Sequence, residues 1–150
     1  MAKVLVIDDE PSIASLVSEI IESYGHEVCL AFNGQQGLDL IKQRNFDLII
    51  SDIMMPHMTG RELLYFVRSQ PALARTRFIL MSAVAHLSRQ ESKYQPDAFL
   101  VKPFDITQID ELVETYLPEP ERKINFERSI PVAFPMDAHY NSSYWRQSGQ

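Results

Sequence analysis

The sequence is short of cysteine, of long apolar stretches and of positive charge. Its single cysteine, Cys29, allows no internal disulfide and suggests no zinc cluster. Its apolar runs are far shorter than the roughly 20 residues that a membrane-spanning helix needs. Only 14 basic residues face 20 acidic ones, and a net charge of −6 does not favour contact with nucleic-acid phosphates. We therefore expect no membrane association and no direct nucleic-acid binding.

What the chain does contain is typical of one soluble domain. Its 150 residues are 45% hydrophobic and 23% charged, and that length fits one domain better than two. The first apolar run, 3–7, meets Asp8 too early to be the apolar core of a signal peptide. We therefore expect a cytoplasmic protein with a substantial core.

Charge and proline divide the chain near Pro118. Residues 1–117 hold all of the net negative charge, whereas residues 118–150 are neutral and contain four of the nine prolines. This division predicts a folded domain over 1–117 and a proline-containing extension over 118–150. The extension also carries more apolar side chains than a solvating tail needs, among them Phe134 and Trp145. It therefore packs on the domain or forms an arm exchanged in a homodimer, and a floppy appendage is the open alternative.

Within the domain, short apolar strands alternate with helical patterns. Val- and Ile-rich runs predict strands at 3–7, 27–31, 46–51, 77–81 and 98–101. Helix starts are marked by Pro11, Asn33 and the capping boxes Thr59–Glu62 and Asp105–Gln108, while the fourth helix, over 83–94, has the weakest pattern. Alternation of this kind requires crossover connections, so it predicts an α/β fold with a five-stranded parallel sheet covered by helices on both faces.

Chemically useful side chains follow four of these strands, at the sheet edge where ligands bind in such folds. They are Asp8, Asp9 and Glu10 after the first strand, Asp52 after the third, Ser82 after the fourth, and Lys102 with Pro103 after the fifth. Clustered carboxylates repel one another unless a cation is present, and carboxylate and carbonyl oxygens suit Mg²⁺. A carboxylate beside a metal, an ammonium and a hydroxyl can accept a phosphoryl group, so we predict that Asp52 is phosphorylated with Mg²⁺.

Four segments of the chain carry a family resemblance. Val-Ile-Asp-Asp-Glu-Pro (6–11), Ser-Asp-Ile-Met-Met-Pro-His-Met-Thr-Gly (51–60), Met-Ser-Ala (81–83) and Val-Lys-Pro-Phe (101–104) resemble the receiver domain of two-component response regulators over residues 3–117. The resemblance implies the flavodoxin-like, doubly wound fold with strand order 2-1-3-4-5. It also implies a signalling switch that acts through protein contacts.

The resemblance assigns a role to each motif residue. Asp52 is the implied phosphoacceptor, Asp9 a direct Mg²⁺ ligand, Asp8 a ligand through water, and Met54 a ligand through its backbone carbonyl. The other implied roles are the switch hydroxyl for Ser82, the phosphoryl-binding lysine for Lys102, the switch aromatic for Phe99 and a cis peptide bond at Lys102–Pro103.

Partners and alternatives follow from the same resemblance. A sensor histidine kinase or phosphotransfer protein is the implied phosphodonor, the downstream target is an unknown protein, and a homodimer would form through the extension or through the face of the fourth helix, fifth strand and fifth helix. We expect no enzyme activity beyond intrinsic autophosphorylation and autodephosphorylation. A Mg²⁺-dependent phosphohydrolase and a scaffold that takes no phosphate are the alternatives, although the hydrolase would carry Asp-x-Asp where this chain has Asp8-Asp9-Glu10.

Two apolar residues depart from the commonest family pattern. Met54 and Val84 lie two positions beyond Asp52 and Ser82, where relatives often carry polar side chains that position a hydrolytic water. We therefore hypothesise a long-lived phosphorylated form. The short, polar segment between Ser82 and Pro96 also predicts a truncated fourth helix.

Overall fold

The computed structural model describes residues 1–84 and 92–118. The elements are β1 (Lys3–Ile7), α1 (Pro11–Ser23), β2 (Glu27–Ala31), α2 (Gly34–Gln43), β3 (Leu48–Asp52), α3 (Gly60–Ser69), β4 (Arg77–Ser82), β5 (Ala98–Val101) and α4 (Ile106–Tyr116). The strands are all parallel and lie in the order β2-β1-β3-β4-β5. The predicted fold class and strand order are therefore confirmed.

Two apolar layers cover the sheet because its central strands are buried on both faces. Val4 and Val6 of β1 face a core built with α1 and α4, whereas Leu5 and Ile7 face a second core built with α2 and α3. All five residues of β3 are buried. Each fully buried Val, Leu or Ile side chain contributes about 1.5–3 kcal/mol, so these two cores fix the strands whose ends form the site.

The predicted helix starts are confirmed in detail. Pro11 occupies the first turn of α1, and the Asn33 side chain accepts a hydrogen bond from the Gln36 N–H at the start of α2. The capping boxes begun by Thr59 and Asp105 are complete at the starts of α3 and α4. A side-chain cap of this kind stabilises a helix by about 1 kcal/mol.

The bounds of β1, β2 and β5 are the predicted ones, whereas those of β3 and β4 differ by one or two residues. The third strand was predicted over 46–51, but β3 spans Leu48–Asp52, and Asp47 just before it accepts a hydrogen bond from the Lys3 N–H on its side chain at 2.8 Å. β4 extends one residue beyond the predicted end, since Ser82 still pairs with Val101 of β5. Both shifts leave the predicted site residues at the carboxyl end of the sheet.

Two predictions fall on parts of the chain outside the described residues. Most of the predicted fourth helix lies in 85–91, and nearly all of the predicted extension lies in 119–150. Both stay predictions, as does the domain boundary at residue 118. In the two described stretches, no helix has the length and apolarity needed to cross a bilayer.

A cluster at the opposite end of the sheet, here called the Asp97 anchor, joins α3, β4 and β5. The Asp97 carboxylate accepts hydrogen bonds from the Arg68 guanidinium at 2.8 Å, from the Phe78 N–H at 2.8 Å and from the Arg77 guanidinium at 3.2 Å. The Tyr116 hydroxyl donates to the Asp97 carbonyl at 3.0 Å. The Asp97 anchor therefore fixes the amino ends of β4 and β5, far from the predicted site.

Candidate functional site

Three charged side chains from three strand ends meet at the carboxyl edge of the sheet. The Lys102 ammonium lies 2.7 Å from Asp8 Oδ2 and 3.1 Å from Asp52 Oδ2, although Asp8 and Lys102 are 94 residues apart. Asp8 is fully buried and Asp52 is 5% exposed. A backbone bond from the Lys102 N–H to the Ser82 carbonyl extends the β4–β5 pairing and carries the lysine to this point.

Backbone donors hold the two carboxylates in place. Asp8 Oδ1 accepts from the Glu10 N–H at 2.9 Å, and Asp52 Oδ1 accepts from the Met54 N–H at 3.3 Å. Each carboxylate therefore has one oxygen on a backbone N–H and the other on the Lys102 ammonium. This pairing leaves lone pairs on both groups for a further ligand.

The site carries more negative charge than its lysine balances. Burial raises the pKa of Asp8 and of Asp52, and the contacts of both with Lys102 only partly oppose that effect. Burial disfavours the charged form of Lys102 too, but its hydrogen bond to Asp8 and the charge of Asp52 outweigh it, so its pKa is raised. One ammonium thus faces three carboxylates within 4 Å, those of Asp8, Asp52 and Glu10.

An acidic group after β1 has the chemistry of a divalent-cation site. Carboxylate oxygens of Asp8, Asp9 and Glu10 lie within 4.8 Å of one another. Oxygen donors of this kind fit Mg²⁺, which is a hard cation and retains water in its coordination shell. Asp8 and Asp9 were predicted as metal ligands, and Glu10 lies beside them as a third acidic group.

The predicted switch residues are close to the site but have other partners. The Ser82 hydroxyl accepts from the Val84 N–H at 3.0 Å and donates to the Val84 carbonyl at 3.1 Å, so it bonds the following loop and not Asp52. Phe99 of β5 is half-buried, and the Arg61 guanidinium lies 5.6 Å from its ring centre. The contact of Arg61 with Phe99 was not predicted, because the residue spacing within α3 gives no indication that this side chain reaches β5.

The loop after β3 is shaped by backbone constraints. A Cβ at Gly60 would lie 2.2 Å from the Asp52 carbonyl oxygen, so only glycine permits this close approach at the start of α3. His57 has φ of 68°, a left-handed conformation that costs a non-glycine residue free energy. Met54, in the same loop, is 60% exposed.

After β5, the Lys102–Pro103 peptide bond is cis, as the family resemblance implied.

Comparison with known proteins identifies the kind of domain. The family model described as response regulator receiver domain matches residues 4–114. Sporulation initiation phosphotransferase F of Bacillus subtilis is 33% identical over 118 residues, which cover 77% of this chain and 94% of that protein. Other curated relatives are longer: the match to the probable transcriptional regulator ycf29 of Pyropia yezoensis, at 31% identity over 77% of this chain, covers only 53% of that protein.

Solved structures give the same result. The chemotaxis response regulator CheY4 of Vibrio cholerae superposes with a TM-score of 0.72 at 33% identity, over 78% of this chain and 99% of that one. The response regulator TrrA of Thermotoga maritima, in complex with Mg²⁺ and BeF, superposes with a TM-score of 0.71 at 33% identity, over 78% of this chain and 100% of that one.

Proposed function

Because the chain belongs to the family of response regulator receiver domains, we propose that the Asp52 carboxylate accepts a phosphoryl group and so switches the protein between two signalling states. The observation that carries the proposal is the buried Asp8–Lys102–Asp52 arrangement, in which one ammonium joins two carboxylates from separate strands. Receiver domains are phosphoacceptor signalling domains, so a metabolic enzyme is not the expected activity.

The excess of negative charge at this edge supports a Mg²⁺ site. We assign Asp9 as a direct ligand, Asp8 as a ligand through water, and the Asp52 carboxylate and Met54 carbonyl as the remaining protein ligands. The close acidic oxygens after β1 and the raised pKa of Asp8 and Asp52 support this assignment. When bound, the metal would supply positive charge that offsets the negative charge on the oxygens of the transferring phosphoryl group.

In the proposed transfer, an Asp52 oxygen forms a bond to phosphorus. The donor's P–N bond breaks at the same time, and its imidazole nitrogen leaves with the electron pair and takes up a proton. The Met54 N–H orients the Asp52 carboxylate, and the Lys102 ammonium balances charge on the phosphoryl oxygens. The Ser82 hydroxyl leaves Val84 to donate to one of those oxygens.

The proposed partners follow from the family and from one relative. A sensor histidine kinase or a phosphotransfer protein provides the phosphoryl group, and the printed name of the Bacillus relative, a phosphotransferase, supports a place in a phosphoryl relay. A downstream protein binds according to the side-chain positions of Ser82 and Phe99. We place this exchange in the cytoplasm. Intrinsic autodephosphorylation ends the signal slowly, because water hydrolyses the acyl phosphate, releases inorganic phosphate and restores the Asp52 carboxylate.

The test is incubation of the full chain with acetyl phosphate and Mg²⁺, followed by intact mass measurement. We expect a single phosphate adduct that is lost in Asp52→Asn. Asp39→Asn is the matched control, since Asp39 is an exposed carboxylate on α2 that accepts from Gln35. Omission of Mg²⁺ should slow adduct formation in the wild type.

Each other outcome contradicts part of the proposal. Rapid turnover of many phosphate esters without an adduct would identify a phosphohydrolase. No adduct and no turnover would identify a scaffold. An adduct that persists in Asp52→Asn would place the acceptor elsewhere.

A further inference from the structure

The contact between Arg61 and Phe99 joins the start of α3 to the middle of β5. The guanidinium lies 5.6 Å from the ring centre, within the range of an attractive cation–π interaction. Arg61 is half-buried, and burial lowers its pKa, so the guanidinium is partly shielded from water, which strengthens such attraction. The ring it covers is the one that sequence analysis assigned to the switch.

Arg61 is also tied to the phosphoacceptor through its chain neighbour. Gly60 packs so closely on the Asp52 carbonyl that no side chain fits between them, and the Gly60 N–H donates to the Ile53 carbonyl at 3.0 Å. Leu63 and Leu64, in the same turn of α3, are buried in the core. The backbone that carries Arg61 is thus fixed relative to Asp52.

One turn further along α3, a second contact reaches the chain before β5. The Tyr65 and Tyr94 rings lie 5.2 Å apart in an edge-to-face arrangement. Residues four apart share a helix face, so Arg61 and Tyr65 form one edge of α3 directed at β5 and the segment before it. On this edge Arg61 contacts Phe99 and Tyr65 contacts Tyr94.

From this geometry we infer that Arg61 is a positioning residue that holds Phe99 in its resting place and so sets how readily the switch responds to phosphate on Asp52. The inference rests on the proposed function. In the resting arrangement the Ser82 hydroxyl is hydrogen-bonded to the Val84 backbone, and the Phe99 ring is in cation–π contact with Arg61. Both switch groups must leave these partners before they can follow the phosphate, and a ligand can only shift such an equilibrium by its preference for one state.

The test follows Phe99 directly in full-length protein labelled with 4-fluorophenylalanine. One of eight phenylalanine resonances is assigned to Phe99 by its loss in Phe99→Leu. We expect Arg61→Leu to move this resonance, in unphosphorylated protein, toward its position in phosphorylated wild type. We also expect phosphorylation by acetyl phosphate to be about two- to fivefold faster, the factor that losing a partly exposed cation–π contact allows.

Two further variants separate positioning from general packing. Arg61→Lys keeps a cation without the planar guanidinium, so its resonance and rate should lie between those of wild type and Arg61→Leu. Lys42→Leu is the matched control, because it removes a similar contact, 5.7 Å from the Phe66 ring, on the α2–α3 side. It should leave the Phe99 resonance and the phosphorylation rate unchanged.

The outcomes distinguish the inference from the function beneath it. Adduct formation with an unmoved Phe99 resonance, or with an unchanged rate, in Arg61→Leu overturns the inference alone. A lower melting temperature with no change in resonance or rate would show that Arg61 only packs. A wild type that takes up no phosphate overturns the proposed function, and the inference falls with it.

Discussion

Replacing Lys102 with methionine is expected to destabilise the metal-free protein by about 3 kcal/mol. The Lys102 side chain is 9% exposed and faces Asp8 and Asp52 side chains that are 0% and 7% exposed. Methionine retains most of the volume but removes the charge that both buried carboxylates share. Removing one partner of a buried pair costs about 3–5 kcal/mol, because a charge is left without compensation.

The structure limits how large this loss of stability can be. The third carboxylate near Lys102, that of Glu10, is 62% exposed and 3.7 Å away, and an exposed pair of that kind contributes only about 0–1 kcal/mol. Because this third pair adds little, we take the lower end of the range of about 3–5 kcal/mol. A domain of this size has a total stability of about 5–15 kcal/mol, and the variant should therefore still fold.

Urea unfolding with and without Mg²⁺ measures the effect. In Lys102→Met the cation no longer competes with an ammonium for Asp8 and Asp52, so Mg²⁺ should restore more stability to the variant than it adds to wild type. The double variant Asp8→Asn, Lys102→Met should lose less than the single variant, since it removes one uncompensated charge. Lys42→Met, at an exposed lysine, is the control. A loss below about 1 kcal/mol would refute the reasoning, because it would show that water already solvates these carboxylates.

Three further predictions concern strain, pH and lifetime. His57→Gly should raise stability by about 0.5–1 kcal/mol, because glycine adopts the left-handed conformation without steric cost, and an unchanged melting temperature would contradict this. His26 is buried and accepts from the Ala2 N–H, and burial lowers its pKa below 6.5, so the stability it contributes is present above pH 6.5 and is lost as the pH falls through the folded-state pKa. His26→Gln should flatten that acid dependence in urea titrations; an equal slope in both proteins would count against it. Met54→Asn with Val84→Glu should shorten the lifetime of the phosphate adduct at least severalfold by admitting a positioned water, and a wild-type half-life of seconds would remove the premise.

The fold was predictable because local and global signals agree along the chain. Each strand carries its own apolar run, and each described helix has a start signal at Pro11, Asn33, Thr59 or Asp105 that the structure uses. Strand ends were less predictable. Asp47 bonds Lys3 through both its side chain and its backbone N–H, and these contacts exist only once β1 and β3 are paired.

The composition of the site was predictable, but its pairing was not. Asp8, Asp52, Ser82 and Lys102 each lie at the carboxyl end of a strand or directly after it, so a parallel sheet brings them to one edge. That Lys102 reaches Asp8 more closely than Asp52 depends on the lysine's path across the sheet end, which the sequence does not encode locally. The cation–π contact of Arg61 with Phe99 joins elements that are distant in sequence, so no periodic pattern in the sequence predicts it.

The Asp97 anchor has a consequence for how the molecule can be attached to other things. Its carboxylate ties α3, β4 and β5 together at the amino end of β4 and β5, with Arg68 only 14% exposed, whereas the proposed phosphorylation site lies at the opposite, carboxyl end of the sheet. The rigid anchor and the proposed phosphorylation site therefore lie at opposite ends of the sheet. A reporter, surface tether or fused domain attached near the Asp97 anchor should leave phosphorylation of Asp52 unaffected. The same attachment at the carboxyl end of the sheet should block it.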